Sequence, residues 1–295
     1  MAILNVTPDS FADGGRLPTP EHALAAAQTA LRHGADLLDI GGESTRPGAD
    51  RIDADEQIAR VVPAIRAIRR AGIEAPISID TTRAAVARAA LDAGADAIND
   101  VAAGTEDASM LSLAAERACG LILMHRAAPP QRDRYSDAYS AEPAYPAGVV
   151  EAVRTFLRAR LDAALAAGVR ADALLLDPGL GFGKSVKQNL ELIRATGELL
   201  TLGRPVLSAL SRKSFVGRVS LGRDSEPAER LGGTLSLSAL HLASGARVFR
   251  VHDPGAAGEA IRAAWACLAD GAGGAGGFGG IVCPRPGVSP LQPGA

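Results

Sequence analysis

One pattern recurs along this chain and limits what it can fold into. An alanine-rich run is followed by a glycine, a small or charged residue, a short apolar run and then a polar residue. His33-Gly34-Ala35-Asp36-Leu37-Leu38-Asp39-Ile40-Gly41 is one copy, and Ala93-Gly94-Ala95-Asp96-Ala97-Ile98-Asn99-Asp100 is a second. Ser244-Gly245-Ala246-Arg247-Val248-Phe249-Arg250-Val251-His252 is a third. A glycine after a helix suits the left-handed residue that ends it. An apolar run without polar alternation suits a parallel strand buried on both faces. Internal echoes of this kind point to a repeated β-α unit.

Counting such units places strands near residues 3–5, 37–40, 77–80, 97–100, 121–124, 174–177, 206–210 and 248–251. Helices are expected near 20–32, 55–70, 83–92, 107–117, 148–167, 188–196, 227–243 and 255–268. Eight alternations in this length favour an α/β fold of the (β/α)8 TIM-barrel type, occupying residues 1–270, over a doubly wound sheet. Residues 271–295, rich in Gly and Pro, are expected to be a disordered tail.

Nearly every expected strand stops on a polar group: Asn5, Glu43 just past Gly42, Asp80, Asn99 with Asp100, His125, Asp177, Arg212 with Lys213, and His252 with Asp253. In a barrel of parallel strands these ends share one face, the face that carries active sites. Leu174-Leu175-Leu176-Asp177-Pro178-Gly179-Leu180-Gly181-Phe182-Gly183-Lys184 shows the arrangement best: a buried strand delivers one carboxylate to a glycine-rich mouth. The same stretch imitates a phosphate-binding G-x-x-x-x-G-K-[ST] loop, but Pro178 stands where the first glycine belongs, so a nucleotide triphosphatase is rejected.

Two insertions, 9–20 and 43–53, make long loops after strands 1 and 2 and would project from the catalytic face as mobile lids. A third, 126–146, holds Pro129-Pro130 and the chain's three tyrosines, and suggests no chemistry. A net charge of -2 gives no support for a nucleic-acid surface. With no long apolar run and no leader pattern, a cytoplasmic location without membrane contact is expected. Cys119, Cys267 and Cys283 form no C-x-x-C, so neither a disulfide framework nor a zinc site is indicated. Aromatics are only 3% of residues, which leaves Phe11, Phe182 and Phe215 as loop-borne candidates to stack on a flat ligand.

Together the strand ends resemble a known family. Ile3-Leu4-Asn5-Val6-Thr7-Pro8-Asp9-Ser10-Phe11 with Asp13-Gly14-Gly15, and Gly41-Gly42-Glu43-Ser44-Thr45-Arg46-Pro47-Gly48, resemble the two signatures of the dihydropteroate synthases. Ser78-Ile79-Asp80-Thr81, Ile98-Asn99-Asp100-Val101, Asp177-Pro178-Gly179, Ser211-Arg212-Lys213-Ser214 and Arg250-Val251-His252-Asp253 resemble the family's remaining motifs, in order over about residues 1–268.

The resemblance implies condensation of 7,8-dihydropterin-6-ylmethyl diphosphate with 4-aminobenzoate, giving 7,8-dihydropteroate and diphosphate in folate synthesis. It implies that Asp80, Asn99, Asp177, Lys213 and Arg250 bind the pterin, and that Thr45, Arg46, Arg250 and His252 hold the diphosphate. Phe11, Pro47 and Ser214 would contact 4-aminobenzoate, Asn5 would contribute an oxygen to Mg2+, and Asn5, Asp13, Lys213, Arg250 and His252 would form the catalytic set. A paired grip by Asp177 on a guanidine-like edge, and a cationic donor, Lys213, for a carbonyl, suit a pterin. A homodimer and sulfonamide sensitivity are likewise implied. Arg126, after Leu123-Met124-His125, stands where an apolar residue is expected near the pterin. Two rivals keep the same barrel: a pterin-binding methyltransferase domain, which would not need the Thr45-Arg46-Pro47 lid or the Ser211–Ser214 cluster, and a catalytically silent pterin-binding paralogue.

Overall fold

The computed structural model describes residues 1–7 and 19–269. Strands and helices alternate. The strands are β1 Ala2–Asn5, β2 Leu38–Gly41, β3 Ile77–Asp80, β4 Ala97–Asp100, β5 Gly120–Met124, β6 Leu174–Asp177, β7 Leu207–Ser208 and β8 Val248–Phe249. The helices are α1 Pro20–Arg32, α2 Ala54–Arg70, α3 Ala84–Asp92, α4 Met110–Glu116, α5 Val149–Ala166, α6 Val186–Arg194, α7 Thr196–Leu200, α8 Ser214–Leu221, α9 Leu231–Ala243 and α10 Pro254–Ala269. The expected tail and most of the first insertion, with Phe11 and Asp13, lie outside the described residues.

Local signals start the helices where chemistry allows. Thr19 caps α1 with Pro20 at its first position, and Asp53 caps α2 by accepting from the Glu56 N–H at 2.7 Å. Ser185 and Gln188 form a reciprocal capping box at α6. The three repeat glycines, Gly34, Gly94 and Gly245, all have positive φ, as a helix-ending glycine should.

Strands β1 to β6 pair in parallel in sequence order, and β7 pairs with β8. Single parallel bridges, Leu176 with Val206 and Ala2 with Val251, join the two sheets, so the ring closes. β7 and β8 are shorter than expected; past β8 the chain still pairs with β1 through Val251, whereas after β7 it turns away. The Lys213 N–H bonds back to the Leu210 carbonyl at 3.1 Å, and Arg212 takes a positive φ of 58°. The helix expected over 227–243 splits into a 3-10 turn, Pro227–Arg230, and α9.

The register decides which side chains face the bore. Asp39 lies level with Ser78, and Gly41 level with Asp80, which in turn is level with Asn99. Asn99 is level with Ile122, and Met124 with Asp177. The alternate residues Leu38, Ile40, Ile77, Ile79, Ile98, Leu121, Leu123 and Leu176 point outward and pack against the helices in one continuous apolar cluster. At the lower end of the bore Met1, Ile122, Leu207 and Ala209 form a small apolar plug, with Leu37, Leu175 and Val248 against it. Above this plug the inward positions turn polar, and that change positions the site.

Candidate active site

The floor of the site is a buried ion-pair cluster. Arg250, just past β8, donates from Nε to Asp39 Oδ2 at 2.6 Å and from a terminal nitrogen to Asp80 Oδ2 at 2.8 Å. Asp39, wholly buried, also accepts from Ser78 Oγ at 2.6 Å and from Asn99 Nδ2 at 3.3 Å. Two carboxylates therefore share one guanidinium. Burial, then the like charges of Asp39 and Asp100, raise the Asp80 pKa, while Arg250 opposes the rise. Asp80 Oδ1 is buried without a hydrogen-bond partner. A buried acceptor left open in this way is costly unless a ligand donor meets it. Asn5 stands beside it: a side chain on Gly41 would lie 3.4 Å from Asn5 Oδ1 and 3.5 Å from Asp80 Cβ.

The wall opposite is the loop after β6. Asp177 is buried, and its Oδ1 accepts from the Gly179 N–H at 2.7 Å. Burial raises its pKa, with the Lys213 cation pulling the other way. Lys213 donates to the Leu180 carbonyl and sits 4.2 Å above the Phe182 ring centroid, a cation–π contact. Burial lowers its pKa to about 8, against the effect of Asp177. The glycines here are sterically required. A Cβ on Gly179 would overlap the His125 carbonyl oxygen, and one on Gly181 (φ +83°) would fall 2.6 Å from Lys213 Cδ.

The rim carries the anion-binding candidates. His252 Nδ1 lies 3.0 Å from Ser211 Oγ. Its packed surroundings, then the like charges of Arg250 and Arg212, hold its pKa down to about 4, although the residue reaches solvent. Thr45 and Pro47 are half-buried and Arg46 is exposed in the second insertion. That insertion is tied down rather than free. Glu43 accepts from the Ile52 N–H at 2.8 Å, the Gly48 N–H donates to the Pro130 carbonyl at 2.8 Å, and Arg51 pairs with Glu106 at 3.0 Å. Ser214, buried, opens α8. Thr45, Arg51, Asp80, Thr82 and Arg126 share the wall of one cleft, with Arg126 paired to Glu106.

Not every polar strand end serves this cavity. Asp100 turns to the backbone, accepting from the N–H groups of Ala102 and Gly104 at 2.8 and 2.6 Å, and burial pushes its pKa to about 6. Arg212 and Asp253 pair with each other at 2.6 Å and tie the ends of β7 and β8 together. His125 is buried against Lys184, whose Nζ lies 3.0 Å from His125 Nδ1 and also donates to the carbonyls of Gly179 and Phe182, both at 2.9 Å. Burial, then Lys184, push the His125 pKa down to about 2, so its ring is neutral near neutral pH.

Residues 1–252 match the family of pterin binding enzymes. A dihydropteroate synthase of Streptococcus pyogenes is 46% identical over 253 residues, covering 86% of this chain and 89% of its own. The chain belongs to the dihydropteroate synthase family. Solved structures agree. The Xanthomonas albilineans dihydropteroate synthase with 4-aminobenzoic acid is 41% identical, with a TM-score of 0.81 over 91% of this chain and 92% of that one. The same organism's enzyme in complex with 7,8-dihydropteroate is 38% identical, with a TM-score of 0.78 over 91% and 93%.

Two members of this site escape a reading of strand ends. Asp39 lies in mid-strand, and its signal was a lone carboxylate in the otherwise apolar Leu37-Leu38-Asp39-Ile40. Lys184 closes a glycine-rich loop and looks like a surface cation, yet it is fully buried. Only the carbonyls gathered around its Nζ explain it.

Proposed function

We propose that this chain condenses 7,8-dihydropterin-6-ylmethyl diphosphate with 4-aminobenzoate to give 7,8-dihydropteroate and diphosphate. One observation carries this reading: the charges of Asp80 and Asp177 both act on Lys213, Asn99 bonds the same Asp39 that Arg250 holds, and Asp80 presents a buried oxygen with no hydrogen-bond partner. A flat heterocycle with a guanidine-like edge supplies the missing donors. Asp177 grips that edge, Lys213 donates to the ring carbonyl, and Asp80 with Asn99 meets the remaining ring nitrogens. Arg250 serves first as the counter-charge beneath this pocket and second as a cation toward the leaving group, which Thr45, Arg46 and His252 also contact.

The C–O bond between the pterin methylene and the diphosphate breaks first. Positive charge on the methylene is delocalised into the dihydropterin, and the rim cations stabilise the departing anion. The aniline nitrogen of 4-aminobenzoate then forms the new C–N bond and releases its proton to solvent. Among the described residues no three His, Cys, Asp or Glu side chains gather into a metal cage. The donor set still fits Mg2+, which keeps most of its positions for water and phosphate oxygens and needs few protein ligands. Asn5, half-buried beside Asp80, would hold the ion, which would neutralise diphosphate charge. The family resemblance assigns Phe11, Asp13 and Pro47 to 4-aminobenzoate, and the opening N–H groups of α8 at Ser214 receive its carboxylate.

Sulfonamides, as mimics of 4-aminobenzoate, compete for the same place. Assembly as a homodimer in the cytoplasm completes this reading. Half-exposed Val219, Leu221, Leu240 and Leu268 on α8, α9 and α10 are apolar surface available to a second copy. No helix among the described residues is long and apolar enough to cross a membrane. The deciding experiment incubates purified protein with the dihydropterin diphosphate, labelled 4-aminobenzoate and Mg2+. Labelled dihydropteroate is expected, and its absence from a protein that still binds the pterin would favour a methyltransferase or a silent paralogue.

A further inference from the structure

The segment 126–146, between β5 and α5, suggests no chemistry in sequence, yet it is built into the site wall. It clamps one residue of the main chain, Gly183, at both its N–H and its carbonyl. The buried Asp133 carboxylate accepts from the Gly183 N–H, at 3.1 Å to Oδ1 and 3.2 Å to Oδ2. The Tyr145 hydroxyl donates to the Gly183 carbonyl at 2.8 Å. Asp133 is itself held by the Arg134 N–H at 2.8 Å and the Tyr139 hydroxyl at 2.9 Å. Burial, and for Tyr139 its bond to Asp133, push both phenols up to about 12, so both remain donors at neutral pH.

A second tie runs through α6. Asn189 Nδ2 donates to Ser136 Oγ at 3.0 Å, and Asn189 Oδ1 accepts from the Gly181 N–H at 2.6 Å. Gln188 Nε2 donates to the Pro143 carbonyl at 2.8 Å. The two ties fall at Gly181 and Gly183, on either side of Phe182. Phe182 is the ring beneath Lys213, and Leu180 supplies the carbonyl that Lys213 holds.

We propose that Asp133 is a positioning residue of the pterin pocket: by anchoring Gly183 it fixes the loop over residues 179–184, and with it the ring and carbonyl that aim Lys213 at the substrate. This rests on assigning Lys213 and Asp177 to the pterin. A carboxylate suits the task because three donors converge on it and it brings none of its own. Without it those donors are left facing one another or an apolar side chain, and the loop relaxes. Lys213 then has freedom to rotate off Phe182 toward water. Its charged neighbours, Asp177, Arg250, Asp133, Asp80 and Lys184, set how far its pKa moves.

The test uses the full chain and four proteins: wild type, Asp133→Ala, Tyr145→Phe and Lys213→Ala. Calorimetry with the dihydropterin diphosphate and Mg2+ gives pterin affinity, and steady-state assays give the KM for 4-aminobenzoate. Asp133→Ala is expected to weaken the pterin about tenfold and leave that KM within about twofold, the loss of one buried hydrogen-bonding anchor. The alkaline fall of pterin affinity should also move upward in pH, since a rehydrated Lys213 recovers its ordinary pKa. Tyr145→Phe should show a smaller loss of the same selectivity, and it carries the test if Asp133→Ala does not fold. A pterin loss in Lys213→Ala with none in the folded Asp133 or Tyr145 variant overturns the positioning role and leaves the pocket intact. Unchanged affinity in Lys213→Ala overturns the pocket assignment, and the proposal with it. Equal losses for both substrates, with no shift in the alkaline limb, reduce Asp133 to scaffold and overturn the proposal.

Discussion

Replacing Asp39 by Asn tests whether the floor of the cavity is held by charge. The substitution keeps the shape but puts a neutral amide, with a donor nitrogen, in the place of a carboxylate whose Oδ2 is bonded by Arg250 at 2.6 Å and Asn99 at 3.3 Å and whose Oδ1 is bonded by Ser78 at 2.6 Å. The site is fully buried, so water cannot replace the lost charge. Breaking a buried ion pair by removing one partner costs about 3–5 kcal/mol when the other charge is left alone. Arg250 still has Asp80 at 2.8 Å, so a cost of about 2–3 kcal/mol is expected, below that range. At about 2–4 °C per kcal/mol for a chain of this order, the melting midpoint should fall by about 5–10 °C. Thermal melting of the wild type, Asp39→Asn, Arg250→Met and the double variant closes a cycle. The two substitutions should couple by at least about 1.5 kcal/mol, because the second removes a charge the first has already stranded. A midpoint within about 2 °C of wild type, or an additive cycle, would refute the ion-pair account.

Three further outcomes are expected. Pterin affinity should fall as pH rises through about 8, where Lys213 loses the proton it donates; its pKa is lowered from 10.5, so the cation is lost earlier than in a free lysine, and a fall centred near 10.5 in calorimetry would show that Lys213 is not the donor. Gly181→Ala should lose about 1–2 kcal/mol from its left-handed backbone. Because its Cβ would press on Lys213 Cδ at 2.6 Å, it should also weaken the pterin, whereas Gly203→Ala, at φ +72° in open space, should cost stability alone. Equal pterin affinity in the two glycine variants would remove Gly181 from the pocket wall. Chelation of Mg2+ should suppress turnover, with recovery on adding the ion back; a rate indifferent to chelator would exclude a metal at Asn5.

Much of this protein was legible before any coordinates. Runs such as Leu174-Leu175-Leu176 are apolar on both alternate positions, which marks strands covered on both faces, and helix caps such as Ser185 with Gln188 act over three or four residues. Once strands of one direction alternate with helices, their ends must share a rim, so Asn5, Asp80, Asn99, Asp177, Lys213 and His252 could be gathered from sequence order alone. The interior could not. Whether Asp39 faces the bore or a helix depends on the parity set by pairing with β1 and β3, and its ionic partner is 211 positions away. A strand's alternation has two equivalent phases until its neighbours choose one. The same holds for Lys184 and Asp133, polar residues in loops whose burial depends on what packs over them. Short-range rules dictated the elements and their order; the register of the closed ring, and the loop folded over it, decided which charges meet.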